Sequence, residues 1–211
     1  MIKKGIVAGI PIALGYFPVA VTFGLTAMAM GLKDYEAVLA SLLIFAGSAQ
    51  FALATLIDSP INATIVPILL NLRHLIYGCI LSKRIKISKP FITAFGLTDE
   101  VFAMSFKGDN ERFIWGLALI AYSAWVSGTV VGVLGGTFIV SNEALHRSLV
   151  FAFPALFFIL LIPNRSWNLI SAIFGGLIAL ILHILGYTSF GILLAGIVSP
   201  FVTSTLRRCL E

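Results

Sequence analysis

Charge is scarce in this sequence. Of 211 residues, 14 are Lys or Arg and 9 are Asp or Glu, 11% of the chain, against roughly 25% in soluble globular domains. That shortage excludes an ordinary soluble domain with a charged surface. Cysteine is nearly missing as well: Cys79 and Cys209 supply neither a disulfide framework nor a metal-ligand spacing. No G-x-x-x-x-G-K loop occurs, so the chain is not expected to hydrolyse nucleotides itself. No ten-residue block alternates with period two, which excludes a closed transmembrane barrel.

What is present is apolar. Hydrophobic residues make up 59% of the chain and the mean hydropathy is +1.05. The sequence reads as an all-α, polytopic membrane protein, one domain over 1–211. Apolar segments fall at about 5–31, 35–57, 61–82, 90–106, 113–140, 147–163, 168–186 and 187–206, and most reach the roughly 17 to 25 residues that cross a bilayer as helix. About seven spans are expected, with interrupted or re-entrant segments among them.

The net charge of +5 comes from short basic loops, which report orientation before they report partners. They are Lys3-Lys4, "KRIKISK" at 83–89, Lys107 with Arg112, Arg165, and Arg207-Arg208. Such loops meet lipid headgroups, and nucleic acid is not an expected partner. All of them can share the cytoplasmic side from Lys83 onward if 90–106 dips in and returns. Three full crossings before Lys83 would, however, leave Lys3 and Lys4 outside. An interruption within 5–31 is therefore expected, and "GIPIALGYFP" offers Pro11, Gly15 and Pro18 as its cause. An uncleaved first segment is expected over a signal peptide. The sequons at Asn62 and Asn164 are read as chance matches.

A weak internal repeat is visible. Glu36, Ala37 and Ser41 match Glu143, Ala144 and Ser148 at an offset of 107 residues. Units of about 5–107 and 112–206 would follow, the kind of duplication from which many secondary transporters are built.

Against this apolar background a few polar positions stand out. In "LLNLRHLIYG" (69–78) the residues Asn71, Arg73 and His74 lie inside an apolar run. An arginine at mid-helix costs roughly 2.5 to 3.5 kcal/mol to insert and by default faces protein or a wet pathway. Snorkelling to Lys83 would need about 15 Å along the helix, too far for a side chain. Asn71 and His74 share a helical face, whereas Arg73 lies about 200° round from Asn71. Either the helix faces two polar environments or it is distorted there, and Pro67 would favour distortion.

In "GLTDEVFAMSF" the neighbours Asp99 and Glu100 point about 100° apart, so at most one can meet Arg73. The other is left for a proton, a cation or solvent, and a low-dielectric setting suits an acid to carrying a proton. The alternative is that Thr98-Asp99 caps a helix start at an aqueous surface. In "FAGSAQF" (45–51), Gly47 permits close approach to the backbone while Ser48 and Gln50 offer donors and acceptors. Small-residue packing, with Gln50 bonding across an interface, fits that stretch equally. Gly128, Gly132 and Gly136, four apart, read as a packing ridge within the chain or between chains, which leaves room for a homo-oligomer. His183 is read as a core histidine.

Taken in order and spacing, the Ile10–Pro18 stretch, "FAGSAQF", "NLRHLIYG" and "LTDEVFAM" resemble AzlC-type branched-chain amino acid permeases over about residues 9–140. One departure is at Pro18-Val19-Ala20, where that family carries Pro-Phe-Gly; here the Phe-Gly pair comes at Phe23-Gly24. The resemblance implies a multi-pass exporter of valine, leucine and isoleucine in a bacterial inner membrane. It also implies a small AzlD-type membrane partner and no enzymatic activity. Proton motive force is the expected drive, since no nucleotide site exists and acids are available. Arg73 would hold the substrate carboxylate, and Asp99 or Glu100 the ammonium or a coupling proton. Backbone interrupted near Pro18 and Gly47 would line the pocket. The rival class is an intramembrane serine hydrolase using Ser48 with His74 or His183 as base.

Overall fold

The computed structural model describes residues 1–144, 147–149, 151, 155 and 166–210. Every regular element among them is a helix. They divide into two compact units, Met1–Phe153 and Pro154–Glu211.

In the first unit, α1 (Ile2–Ala29) is one helix of 28 residues that runs straight through Pro11, Gly15 and Pro18. The interruption expected there does not occur. Each proline removes a single backbone bond, and α1 is held along its whole length by the helix we call α8 (Glu111–Leu134). The two backbones touch through glycines. Gly5 lies on Phe113 and Gly116, Gly24 on Thr129 and Gly132, Gly128 on Phe17, and Gly132 on Val21. Contacts advance together along both helices, so α1 and α8 are parallel. Gly31, at φ +91°, then ends α1 in the left-handed conformation that glycine adopts freely, and the Leu32 N–H reaches back to the carbonyl of Ala27 at 3.0 Å.

The segment expected to span at 35–57 instead turns back on itself. It forms α2 (Asp34–Leu43) and α3 (Gly47–Thr55). In a straight helix residues 40 and 50 would stand about 15 Å apart; here Gln50 Nε2 donates to the Ala40 carbonyl at 3.1 Å. The descent is visible in Ser41, 2.7 Å from Thr129, and then in Phe45, whose ring meets Tyr16 at 6.1 Å and Tyr122 at 5.3 Å. Phe51 has climbed back to Phe23, at 5.5 Å.

Next, α4 (Pro60–Asn71) and α5 (Arg73–Arg84) join through Leu72 into 25 residues long and apolar enough to cross a membrane. Pro67 sits inside α4 and does not break it. The change of pitch comes at Leu72, where N–H groups of Leu72 and Leu75 bond three residues back, to Leu69 and Leu72, at 3.2 and 3.1 Å, a tight 3₁₀ turn.

A second hairpin follows, of α6 (Pro90–Phe95) and α7 (Asp99–Ser105). Its base is fixed by Glu111, which accepts from the N–H groups of Ser88 and Lys89, each at 2.9 Å, and from the Thr93 hydroxyl at 2.8 Å. Its tip reaches Tyr122 through Phe95, at 5.7 Å. Its return ends under Arg84, which donates to the carbonyls of Ser105 and Phe106 at 3.2 and 2.9 Å.

The two hairpins thus enter from opposite ends, and their tips meet where Phe45 and Phe95 lie 6.3 Å apart. Between Lys3 and Lys83 the chain crosses twice, in α1 and in α4–α5. That places Lys3, Lys4, Lys83, Arg84, Lys86, Lys89, Lys107 and Arg112 at one end without any break in α1. Three helices of the described residues, α1, α4–α5 and α8, are long and apolar enough to span. Beyond α8, Gly136 opens the short α9 (Gly136–Ser141) and makes only ordinary contact with Leu25. The packing ridge therefore consists of Gly128 and Gly132, without Gly136.

The second unit contains α10 (Ser166–Ile184) and α11 (Thr188–Leu210), antiparallel, with Ser171 and Ser199 hydroxyls 3.1 Å apart. They turn at Gly186, φ +84°. Most of the apolar segment expected at 147–163 lies outside the described residues, as do Asn164 and Arg165.

Two predictions follow from the geometry. With Cys79 and Cys209 replaced by Ser, a membrane-impermeant thiol reagent will reach Lys33→Cys and Ser59→Cys from the same side and Ser88→Cys from the other. A spanning 35–57 segment would separate the first two. Gly132→Leu will lower the melting temperature and yield of the purified protein, because its side chain would run into the Val21 carbonyl, whereas Gly136→Ala will leave both unchanged.

Candidate functional site

Where the hairpin tips meet the 3₁₀ turn of α4–α5, polar side chains converge. Arg73, first residue of α5, places Nη2 2.9 Å from Asp99 Oδ2 and donates from the same nitrogen to Ser48 Oγ at 2.9 Å. Tyr77, one turn on, donates to Asp99 Oδ1 at 2.7 Å while its ring stacks on Phe102 at 4.4 Å. Asp99 thus has a partner on each oxygen. The 3₁₀ turn explains why Arg73 can reach inward at a level where a regular helix would have aimed it away from Asn71. The Arg73 and Asp99 side chains keep 36% and 22% of their accessibility.

Two buried atoms have no hydrogen-bond partner among the described residues: Asn71 Oδ1 and Arg73 Nε. One is an acceptor and the other a donor, and each costs about 1 to 3 kcal/mol while unmet. Native interiors leave few such atoms, and those they leave call for an explanation.

Glu100 points elsewhere. It is 8% exposed and bonded to the hydroxyl of Tyr16, which is also 2.7 Å from Thr98 Oγ1. Thr98 caps α7 by accepting from the Val101 N–H at 3.3 Å. It does so at a buried position rather than at an aqueous surface. Asp99 and Glu100 therefore serve different neighbours, on α5 and α1.

Gln50 stands apart from this cluster. It is fully buried. Its Nε2 donates to the carbonyls of Ala40 and Ile44, and its Oε1 accepts from Trp125 Nε1 at 2.9 Å and from Ser41 at 3.4 Å. Gly47 lets the first hairpin close on the same tryptophan: a Cβ there would come within 2.7 Å of Trp125 Cη2. His74, half-buried, has its ring 5.7 Å from that of Tyr77. Ser48 Oγ receives a hydrogen bond from a guanidinium, which has no acceptor for a serine proton; no imidazole of α5 is bonded to it. On the other flank of the tips an apolar cavity of about 290 Å³ is lined by Phe45, Ile92, Phe95, Gly96, Trp115 and Tyr122 among others.

Sequence reasoning did not pick out Tyr16, Tyr77 or Glu111. Tyr16 was detectable as the lone hydroxyl between two prolines of α1. Glu111, beside Arg112, reads in sequence as part of a solvated loop, and nothing local reveals the backbone it receives.

Re-entrant hairpins around a half-buried ion pair, inside apolar spans, define a multi-pass membrane protein with a polar centre. The AzlC protein family model matches residues 11–139, and the MJ1155 family model matches residues 144–211. An uncharacterized membrane protein of Archaeoglobus fulgidus is 48% identical over 96% of this chain and 94% of its own length. Inner membrane protein YgaZ of Escherichia coli is 33% identical over 97% of this chain and 89% of its own. The branched-chain amino acid transport protein AzlC of Bacillus subtilis is 26% identical over 74% of this chain and 64% of its own. No solved structure matches. The chain belongs to the AzlC family.

Gln50→Leu will lower the melting temperature well below that of Ser48→Ala. It strands Trp125 Nε1 and the Ile44 carbonyl in the interior, each worth about 1 to 3 kcal/mol, and removes one of the two bonds to the Ala40 carbonyl, whereas Ser48 donates no hydrogen bond among the described residues. Scanning fluorimetry of the purified variants makes the comparison.

Proposed function

We propose that this chain acts as one transport domain exporting valine, leucine and isoleucine, with a small AzlD-type membrane partner and proton motive force as the drive. The observation that carries the proposal is the orphaned pair, Arg73 Nε and Asn71 Oδ1, beside the Arg73–Asp99 ion pair. An α-amino acid presents a carboxylate, which accepts, and an ammonium, which donates. Arg73 Nε would take the carboxylate and Asn71 Oδ1 the ammonium, satisfying both buried atoms at once. Asp99 would then share its charge between Arg73 and the ammonium. Ser48 and the unpaired N–H groups of the first turn of α3, from Gly47 onward, supply further donors. The ring of Phe102, stacked on Tyr77, offers apolar surface that a branched side chain needs. His74 borders the site, while Gln50 is committed to closing the hairpin.

The name of the Bacillus relative supports the substrate class. An intramembrane hydrolase is disfavoured by the guanidinium on Ser48 Oγ, and a serine-directed fluorophosphonate will not label the protein.

The test is efflux of preloaded valine, isoleucine and leucine from cells expressing the chain with and without the small partner, before and after an uncoupler. We expect partner-dependent efflux that collapses with the uncoupler. Arg73→Ala will weaken substrate engagement about 10- to 100-fold, the loss of a charge-assisted hydrogen bond. Unchanged export by Arg73→Ala and Asp99→Asn proteins, present at normal levels, would overturn the assignment.

A further inference from the structure

Among the described residues Glu100 is the buried acid at the hairpin tips without an ion-pair partner. Among the described residues the ion pairs of acids are Arg73–Asp99, Arg84–Asp109 and Arg147–Glu143; Glu111, also buried, is saturated by backbone and hydroxyl donors. Glu100 instead meets the hydroxyl of Tyr16, and Tyr16 meets that of Thr98. The charged and titratable groups around it are Tyr16 from α1, Asp99 on its own helix, and Arg73 and Tyr77 from α5; His74 faces Asp99 and Arg73. The first hairpin and α8 bring Phe45 and Trp125 against Tyr16, and neither ring titrates.

A phenol has one proton and cannot donate to both neighbours at once. The row Thr98–Tyr16–Glu100 therefore has two hydrogen-bond polarities. With Glu100 ionised, Thr98 donates to Tyr16 and Tyr16 donates to the carboxylate. With Glu100 protonated, the acid donates to Tyr16 and Tyr16 donates to Thr98. Both states use the same heavy-atom positions. Ionised, the group bears the cost of a buried charge without a counter-ion; one proton removes that cost.

We infer that Glu100, switched by the Tyr16 and Thr98 hydroxyls, carries the coupling proton, while the Arg73–Asp99 pair beside it handles substrate. The inference rests on the transport function proposed above. In each cycle one O–H bond forms at Glu100 Oε2 with a proton taken from one side, and the same bond breaks to release it to the other. No electron moves. Tyr16 belongs to a helix locked to α8, and Glu100 to a hairpin tip. Movement of that tip away from α1 would strip the acid of its phenol and so tie protonation to conformation.

The test uses inside-out membrane vesicles holding the full-length chain with its small partner. Two readouts are taken: radiolabelled valine counterflow without a gradient, and valine accumulation driven by an imposed pH gradient. Wild type should show both, and Arg73→Ala both reduced about 10- to 100-fold at subsaturating valine. Glu100→Gln, nearly isosteric, should keep counterflow within about twofold of wild type and lose gradient-driven accumulation. Tyr16→Phe should keep counterflow and slow the gradient-driven rate by about tenfold or more, since it removes a positioned proton relay. Gradient-driven accumulation by Glu100→Gln at the wild-type level overturns the inference and leaves the transport function standing. Loss of counterflow along with accumulation in both variants also overturns it, placing the pair in binding or folding. Absence of counterflow in wild type overturns the transport function, and this inference with it.

Discussion

A backbone that reverses direction inside a bilayer must satisfy its own carbonyls, because no water is there to do so. Gln50 meets that demand for the first hairpin. Its amide nitrogen covers Ala40 and Ile44 at the end of α2, and its oxygen is held by Trp125. Ser41 and Thr129 extend the same network to α8. Glu111 performs the equivalent task at the base of the second hairpin, receiving two backbone N–H groups and the Thr93 hydroxyl. Without these two side chains neither hairpin could stop where it does, and the residues at their tips would not face one another.

Both anchors attach the hairpins to α8, and α8 is itself fixed to α1 by backbone contact through glycine. Rigidity is thus concentrated in one pair of parallel helices. The tip residues hang from it: Ser48 at the start of α3, Asp99 and Glu100 at the start of α7, with Arg73 supplied by the turn at Leu72. Of these only Glu100 is tied to the rigid pair directly, through Tyr16. The ion pair of Arg73 and Asp99 joins two elements outside it. Polar chemistry in this protein therefore sits where the chain is least regular, on elements one step removed from the frame.

The membrane class and the helical fold were legible from composition alone, since nothing but a lipid-facing chain carries so little charge. That Arg73 needs a partner was legible too, because an uncompensated arginine in an apolar run demands one and an acid downstream can provide it; which of Asp99 and Glu100 meets it, and that Ser48 joins them, was not. The crossing pattern was misjudged at one place. Prolines in 5–31 look like the stronger breakers, yet the break falls at Ile44 to Ala46, where no proline exists. What decides between them is tertiary: α1 gains a glycine-lined partner over its full length, while 35–57 gains Gln50, a staple whose bonds span ten residues and leave no periodic trace. Tyr16 and Glu111 were hidden for the same reason, each being polar for the sake of residues far away in the sequence, Thr98 and Glu100 for the one and Ser88, Lys89 and Thr93 for the other.

The opposed hairpins also set the depth at which the polar centre lies. A regular span would bury it beneath half the thickness of the bilayer on both sides with continuous helix above and below. Here, among the described residues, the hairpin helices are α2 and α3 on one side, ten and nine residues, and α6 and α7 on the other, six and seven, or roughly 10 to 15 Å of helix each. Each hairpin is tied to α8, the first by Gln50 on Trp125 and the second by Glu111, so the polar centre lies under short helices, not under half of a continuous span, on either side.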